Sequence, residues 1–551
     1  MKVLPDPFYY LANFHLVLDW ISARYSDLLH DEESAWVDAF RALPQESRAL
    51  LVRFVMRKGT LFRSQKLSYE EIGCIHEAAR PLIEIGWVEN RPLLNAEEIC
   101  GLLTKPELAS LLKDPGKAPS SSRKAELVEA LRTRVTAPLP FDRLFPQSDE
   151  CIYRLSDEVT SFCERLKLMF FGNPYQSWTE FVLADLGIYR YEQVQIDQQS
   201  RAFQSREDVD AYLLLNACRE RFEIGEEAPD LILSELDDFS ENHWLANKRM
   251  KFVYQVAYRY EQSGELDKAL DLYRACSYPD ARLRTIRVLE KLGNFHAAYD
   301  LAVAAQANPE NDEEAQKLQR VMPRLVRKLG LPRLPAAAVV PFDEWNLHLP
   351  FPVGLSSVEE EVRRHLHRTE APAFYVENCL INSLFGLLCW EAIFLAIPGA
   401  FFHPFHIGPA DLHSTDFYQR RKPRFDACLS QLDSQEYKAT ILARFEEKAG
   451  IQSPFVFWGA LSRELLDIAM GCVSPDHLRL WFLRILQDIR NNRSGFPDLI
   501  QFWPKEKRYR MIEVKGPGDR LQDNQVRLLR YAQNHGMPVA VCYVDWEQAA
   551  A

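Results

Sequence analysis

The chain has 551 residues, 47% of them hydrophobic and 26% charged, with a formal net charge of −12. That length exceeds what a single hydrophobic core organises and predicts about three or four domains. The eleven cysteines are scattered without a C-x-x-C pair, which excludes a disulfide frame or a zinc cluster and suits reduced thiols inside a cell. The longest apolar stretch, Leu384 to Phe402, is interrupted by Glu391 and Pro398, so no spanning helix is expected. The opening residues, Met1 to Asp6, lack a signal-peptide pattern, and no membrane partner is expected.

The acidic surplus argues against a chain that coats nucleic acid with its whole surface, but binding is decided by local patches. Arg53 to Lys66 carries five basic residues and no acid, Arg420 to Arg424 carries four in five, and Lys505 to Arg530 carries eight against four acids. Each window reads either as a solvated face or as a phosphate contact. Arg57 and Lys58 are the candidate DNA contacts of the first.

Residues 1–95 predict a helical domain, with an apolar rhythm through Tyr9, Leu16, Leu18, Ile21 and Tyr25. Ser68-Tyr69-Glu70-Glu71 has the form of a capping box. Gly86-Trp87-Val88-Glu89-Asn90 predicts a short strand. Helices closed by a β wing suggest a winged-helix-like module; a plain helical bundle fits equally well.

Residues 96–135 predict a helix–turn–helix unit. Thr104 is the expected cap of a first helix with Pro106 in its first turn. A loop from Asp114 to Ser122 follows, and a second helix runs from Arg123-Lys124-Ala125-Glu126-Leu127 to Arg134. The pattern resembles a SAP DNA-binding motif, and an ordinary helical hairpin is the alternative. The resemblance makes Lys117, Arg123 and Lys124 candidate DNA contacts.

Residues 136–335 predict an almost wholly helical segment. Gly264 recurs as Gly293 and Ala269 as Ala298, both at a spacing of 29. Small residues at fixed places let paired helices pack closely, as in tetratricopeptide repeats, although the period is shorter than the roughly 34 residues usual there. The proline- and alanine-rich stretch Leu331 to Pro352 predicts a linker.

The last domain, residues 336–551, opens with a predicted helix over Val358 to Leu366. A second, apolar helix is expected from Glu377 to Leu395, and helices from Phe417 to Arg490. Strand, strand, helix and strand are then expected from Phe496 to Val544. Asp498 is followed after fourteen residues by Glu513-Val514-Lys515, with apolar strand-like runs on both sides of the gap. Alternation puts Glu513 and Lys515 on one face of a strand and Val514 in the core. Two adjacent strands then bring Asp498 beside Glu513. Two carboxylates with one ammonium suit a hard divalent cation and a phosphodiester. Asp498 and Glu513 are the candidate ligands, the Val514 carbonyl a third, and Lys515 the group that orients water or stabilises negative charge. The bland alternative is a chance acid followed by a solvated Glu–Lys pair. A competing cluster, His403, His406, Asp411 and His413, has imidazoles suited to zinc but lacks helical spacing and reads as a loop.

Gly495-Phe496-Pro497-Asp498-Leu499, with Glu513-Val514-Lys515-Gly516-Pro517-Gly518-Asp519-Arg520-Leu521 and Gln525, resembles the VRR-Nuc domain of the PD-(D/E)xK nuclease superfamily. Ser357-Val358-Glu359-Glu360, Glu377 and Leu384 to Trp390, together with the order of modules, resemble the Fanconi-anaemia-associated nuclease family. The resemblance implies a mostly α multidomain chain with a C-terminal α/β, restriction-endonuclease-like core carrying a helical insertion. It implies a structure-selective DNA endonuclease and exonuclease, dependent on Mg²⁺ or Mn²⁺, that acts on 5′-flap or branched DNA in interstrand crosslink repair. It also implies Glu377 as a further metal ligand and catalytic acid; read from the residues alone, Glu377 is an acid favoured by the dipole of the helix it opens. Arg420, Arg421, Arg520 and Gln525 become candidate DNA-facing residues. No Cys/His quartet fits the ubiquitin-binding zinc finger of eukaryotic members, so the chain resembles the shorter bacterial ones, in the cytoplasm, and ubiquitin binding is not expected. A Holliday-junction resolvase, which would act as a symmetric dimer, and a non-catalytic branched-DNA adaptor are the alternatives.

Overall fold

The computed structural model describes residues 6–112, 124–146, 149–176, 189–225, 227–236, 242–332, 340–351 and 356–547. The chain divides into two compact units, residues 1–188 with 203–209, and residues 189–202 with 210–551.

In the first unit, helix Tyr9–Tyr25 buries Tyr10, Phe14, Val17, Leu18, Ile21 and Tyr25, a stripe at helical spacing. Leu16 lies off that stripe and is exposed. The capping box expected at Ser68 to Glu71 caps no helix: residues 70–72 are a turn, and the helix begins at Ile75. Glu71 is taken instead by long-range partners, the Tyr10 hydroxyl and the Arg53 guanidinium. Strands β1 (Leu61–Arg63), β2 (Val88–Asn90), β3 (Leu93–Leu94), β4 (Leu139–Pro140) and β5 (Ile152–Leu155) are all short. β5 sits between β1 and β2 and runs antiparallel to both. The β wing is therefore completed by residues 152–155, inside the stretch expected to be almost wholly helical. Four residues are too few to display a period that separates strand from helix.

The SAP-like helices Ala96–Leu102, Lys105–Leu111 and Lys124–Arg134 share a core of Ile99, Leu108, Leu127 and Leu131. Thr104 and Glu107 form a capping box with Pro106 in the first turn, as expected. Lys117 and Arg123 lie outside the described residues.

In the second unit, helices His243–Ser263, Leu266–Arg274, Ala281–Lys291, Phe295–Ala307 and Asp312–Lys328 pack in sequence order. Gly264 and Gly293 hold positive φ after the first and third of these, where a left-handed residue closes a helix without a Cβ clash. Ala269 and Ala298 are fully buried in the helices that follow. The two copies of the 29-residue pattern are thus helix–glycine–helix units.

A five-stranded sheet follows, formed by β6 (Glu344–Leu349), β7 (Ala373–Tyr375), β8 (Leu499–Trp503), β9 (Arg508–Lys515) and β10 (Val539–Trp546) in the order β6-β10-β9-β8-β7. β6 and β9 are parallel to β10, while β8 is antiparallel to β9 and to β7. β6 lies within the stretch expected to be linker; the prolines and alanines around it hid a strand that pairs along one edge. Leu499, Ile512, Val514, Cys542 and Val544 share a core with Val362 of helix Val358–Leu366. A helical insertion from Leu380 to Asn492 separates β7 from β8. Its apolar first helix ends at Leu388 rather than Leu395. Gly386 there would place a Cβ only 2.7 Å from Phe455 Cβ, so only glycine fits.

Candidate active site

β8 and β9 carry the motif residues to one end of the sheet. Asp498 precedes β8, and its carbonyl accepts the Val376 amide (2.8 Å) at the end of β7. Its Oδ2 accepts the Val514 amide (2.8 Å). Leu499 pairs with Ile512, so the ladder ends there and Asp498 faces Glu513 and Val514. In an extended strand, N–H and C=O of one residue leave on the same side. The Val514 carbonyl is thus directed past the end of β8, on the side of Asp498. Gly495, at φ +86, turns the chain into this motif, and a Cβ there would meet Asn524 backbone at 3.1 Å.

Glu513 is 1% exposed, Asp498 and Lys515 8% each. Glu513 Oε1 accepts both Lys515 Nζ (2.7 Å) and Gln525 Nε2 (2.5 Å). Glu377 is exposed and does not open a helix as expected. It lies in the turn between β7 and helix Leu380–Leu388; its Oε2 accepts the Tyr375 hydroxyl (2.5 Å) and its Oε1 the Asn378 amide (3.2 Å). Burial pushes the Asp498 carboxyl above the usual carboxylate range, aided by the charges of Glu377 and Glu359 and opposed by the Val514 amide and Lys515. Burial likewise raises Glu513, aided by Asp498 and opposed by Lys515.

Buried acids that raise one another need a cation in excess of the single lysine present. Two carboxylates and a strand carbonyl are hard oxygen donors, and they fit a hard divalent cation rather than a soft metal. Among the described residues these acids do not converge into a cluster that could hold a metal ion: Glu377 is held by Tyr375 and Asn378, and Glu513 by Lys515 and Gln525.

Three contributors were not singled out from sequence. Glu359, in the first turn of the helix capped by Ser357, is felt at Asp498. Asn378, at φ +50, donates to Glu377 and accepts the Phe496 amide (3.0 Å), tying the two acid-bearing loops together. Asn382 donates to the carbonyls of Asn378 and Arg493, each at 2.7 Å. The helix that carries Glu359 is the one expected over Val358 to Leu366 and is found there, but nothing local marks Glu359 as facing Asp498, nor the asparagines.

The other expected residues divide. Gln525 reaches the site, and Arg520 is exposed on the segment that follows β9. Arg421 is 1% exposed, bonded through both terminal nitrogens to Asp411. Arg420 is bonded to Asp411 and to the Pro398 carbonyl. The phosphate contact expected of Arg421 does not fit its full burial against Asp411, whereas Arg420 keeps 22% side-chain exposure beside it. His403 and His406 stack at 4.1 Å in a loop, and Asp411 belongs to the arginines, so no zinc cluster forms there. In the first unit, Arg53 and Arg63 pair with Glu71 and with Glu107 and Glu150. Arg57, Lys58 and Lys124 are exposed.

Three family models match the chain: the FAN1 HTH domain over residues 8–89, the Fanconi anemia-associated nuclease SAP domain over 93–143, and the VRR-NUC domain over 432–546. Glu377 lies upstream of the last match. A Fanconi-associated nuclease 1 homolog of Pseudomonas aeruginosa is 52% identical over 98% of this chain and 97% of its own length. Human Fanconi-associated nuclease 1 is 24% identical over 97% of this chain, which spans 62% of the human protein. A crystal structure of paFAN1 bound to 2-nt 5′-flap DNA with a gap superposes with a TM-score of 0.87 at 51% identity and covers both chains fully. A second, with a 1-nt flap, gives 0.84 at 51% identity and covers 99% of this chain and all of that one. With β8 and β9 holding the acid–acid–lysine set that the sequence spells, the chain belongs to the Fanconi-associated nuclease 1 family.

Proposed function

We propose that the chain is a structure-selective DNA nuclease that hydrolyses phosphodiester bonds in 5′-flap DNA, as endonuclease and as 5′-to-3′ exonuclease, in interstrand crosslink repair. The observation that carries the reading is the meeting of Asp498, Glu513 and Lys515 at one end of the sheet, in a chain half identical to one crystallised on a 5′ flap. Asp498, Glu513, Glu377 and the Val514 carbonyl would hold one or two divalent cations, Mg²⁺ or Mn²⁺. A bound cation supplies charge neutralisation at phosphorus and a stronger water nucleophile.

The chain's own residues do the rest. Burial keeps the carboxylates free of competing water. Gln525 fixes the Glu513 rotamer. Lys515, bonded to Glu513 at 2.7 Å, is the ammonium that would stand against the developing negative charge. Arg57, Lys58, Lys124 and Arg520 are the described cations proposed to meet backbone phosphate, together with Lys117 and Arg123. Such contacts make binding weaken steeply with salt.

The test is Mn²⁺-dependent cleavage of a labelled panel of 5′-flap, nicked and four-way substrates. Flap cleavage that Asp498→Ala abolishes, with flap binding retained, supports the reading. Preferred cutting of four-way junctions by a dimer would replace it with a resolvase, and no cleavage of any branched DNA with an adaptor.

A further inference from the structure

Helix Asp312–Lys328 of the helical repeat meets helix Asp523–Asn534 of the nuclease fold through side chains that lead to the active site. Arg320 straddles the Asp523 carboxylate, with Nη1 to Oδ2 at 2.8 Å and Nη2 to Oδ1 at 2.5 Å. Gln316, on the same face one turn earlier, donates to the Asp523 carbonyl (3.3 Å) and accepts from Arg527 (2.7 Å). Both pairs have i,i+4 spacing, so a full turn of each helix is joined.

Asp523 is the first residue of its helix, and the residue before it, Gln522, serves as N-cap. Gln522 and Gln525 form a reciprocal capping box here, so this first turn is set jointly by the box and by the Arg320 contact to Asp523. Gln525 lies in that turn and is used twice. Its Oε1 accepts the Gln522 amide (2.8 Å), and its Nε2 donates to Glu513 Oε1 (2.5 Å). The same Glu513 oxygen receives Lys515. From Arg320 to Lys515 the contacts are continuous, with only the backbone of one helical turn between Asp523 and Gln525.

We propose that Arg320, aided by Gln316, is a positioning residue for cleavage. It holds the first turn of helix Asp523–Asn534 where Gln525 can orient Glu513 and Lys515, which makes the helical repeat part of the catalytic apparatus rather than only a support. The proposal rests on the nuclease reading. Arg320 and Asp523 keep 59% and 55% side-chain exposure, so the pair contributes little to global stability; its effect is on geometry.

The experiment compares Arg320→Asp with wild type on a 5′-flap substrate in Mn²⁺. The expected result is a kcat lower by about fivefold, the scale of an exposed bidentate pair, with KM and the thermal midpoint unchanged. Arg320→Asp combined with Asp523→Arg restores most of the loss. In a Gln525→Ala background Arg320→Asp costs nothing further, because the two act through one path. An active wild type with unchanged kcat in Arg320→Asp overturns the latch alone, as does an equal loss in the Gln525→Ala background. A wild type inactive on flaps overturns the nuclease reading and the catalytic role with it. Should Arg320→Asp unfold, Arg320→Gln carries the same comparison.

Discussion

Two buried glutamates in the second unit have opposite surroundings. Glu261, in the helical repeat, is 3% exposed and ringed by Arg284, Arg287 and Lys291, with the Tyr273 hydroxyl donating as well. Its carboxyl is held below the ordinary range: burial raises it, but the Lys291 and Arg284 cations outweigh burial. Glu513 is equally buried, yet its neighbours are Asp498 and Glu377 with one lysine, and its carboxyl is held above the ordinary range. A buried acid with surplus cations is a rivet. A buried acid with surplus acids is a site that costs stability until a cation arrives.

The largest effect that sharpens this contrast is on catalysis. Asp498→Ala or Glu513→Ala should lower flap cleavage by about a thousandfold or more, with flap binding by gel shift nearly intact. Glu261→Ala should leave cleavage unchanged below its unfolding temperature. Next is stability: Glu261→Ala should cost about 2 kcal/mol in denaturant unfolding, the scale of lost charge-assisted hydrogen bonds whose cationic partners can still reach water. Glu513→Gln should instead stabilise the metal-free protein by on the order of 1 kcal/mol at neutral pH.

The pH dependences should have opposite sense. Glu513 titrates higher folded than unfolded, so its charge destabilises above the folded value, and the gain from Glu513→Gln should vanish as pH falls to the ordinary carboxylate range. Glu261 titrates lower folded than unfolded. Its stabilisation is present above the ordinary value and is lost as pH falls through its depressed one. Melting curves of both variants across pH measure this, and a parallel response would break the contrast. The smallest effect is at Asn378. Because Asn378 sits at positive φ, Asn378→Gly keeps the backbone while deleting the bonds to Glu377 and Phe496. A loss of roughly five- to tenfold in cleavage is expected, with little change in melting.

The acid–acid–lysine end of the sheet was legible because its pattern is local. Asp498 leads into one strand, and Glu513 and Lys515 lie on its neighbour; the apolar runs Leu499 to Trp503 and Tyr509 to Ile512 announce them. Gly264 and Gly293 marked the helical repeat for the same reason, since each closes a helix by its own backbone. What stayed hidden depends on distant partners. Arg421 reads as a free cation until Asp411, ten positions earlier in sequence, folds onto it. Ser68 to Glu71 reads as a cap until Arg53 and Tyr10 claim Glu71. β6 and β5 are too short or too proline-flanked to show a period, and exist because a neighbouring strand offers its edge. Asn378 has no sequence signal, since a left-handed φ at a non-glycine residue is set by the turn it closes.

The most direct test of the account is calorimetric titration of Mn²⁺ into the protein near pH 6.5, in two buffers of different ionisation enthalpy, for wild type and Asp498→Ala. Raised carboxyls at Asp498 and Glu513 predict that wild type binds Mn²⁺ with net release of protons and that the variant loses the binding. Undiminished binding in Asp498→Ala, or flap cleavage that persists in excess chelator, would contradict the claim that this acid cluster is the cation site of the nuclease.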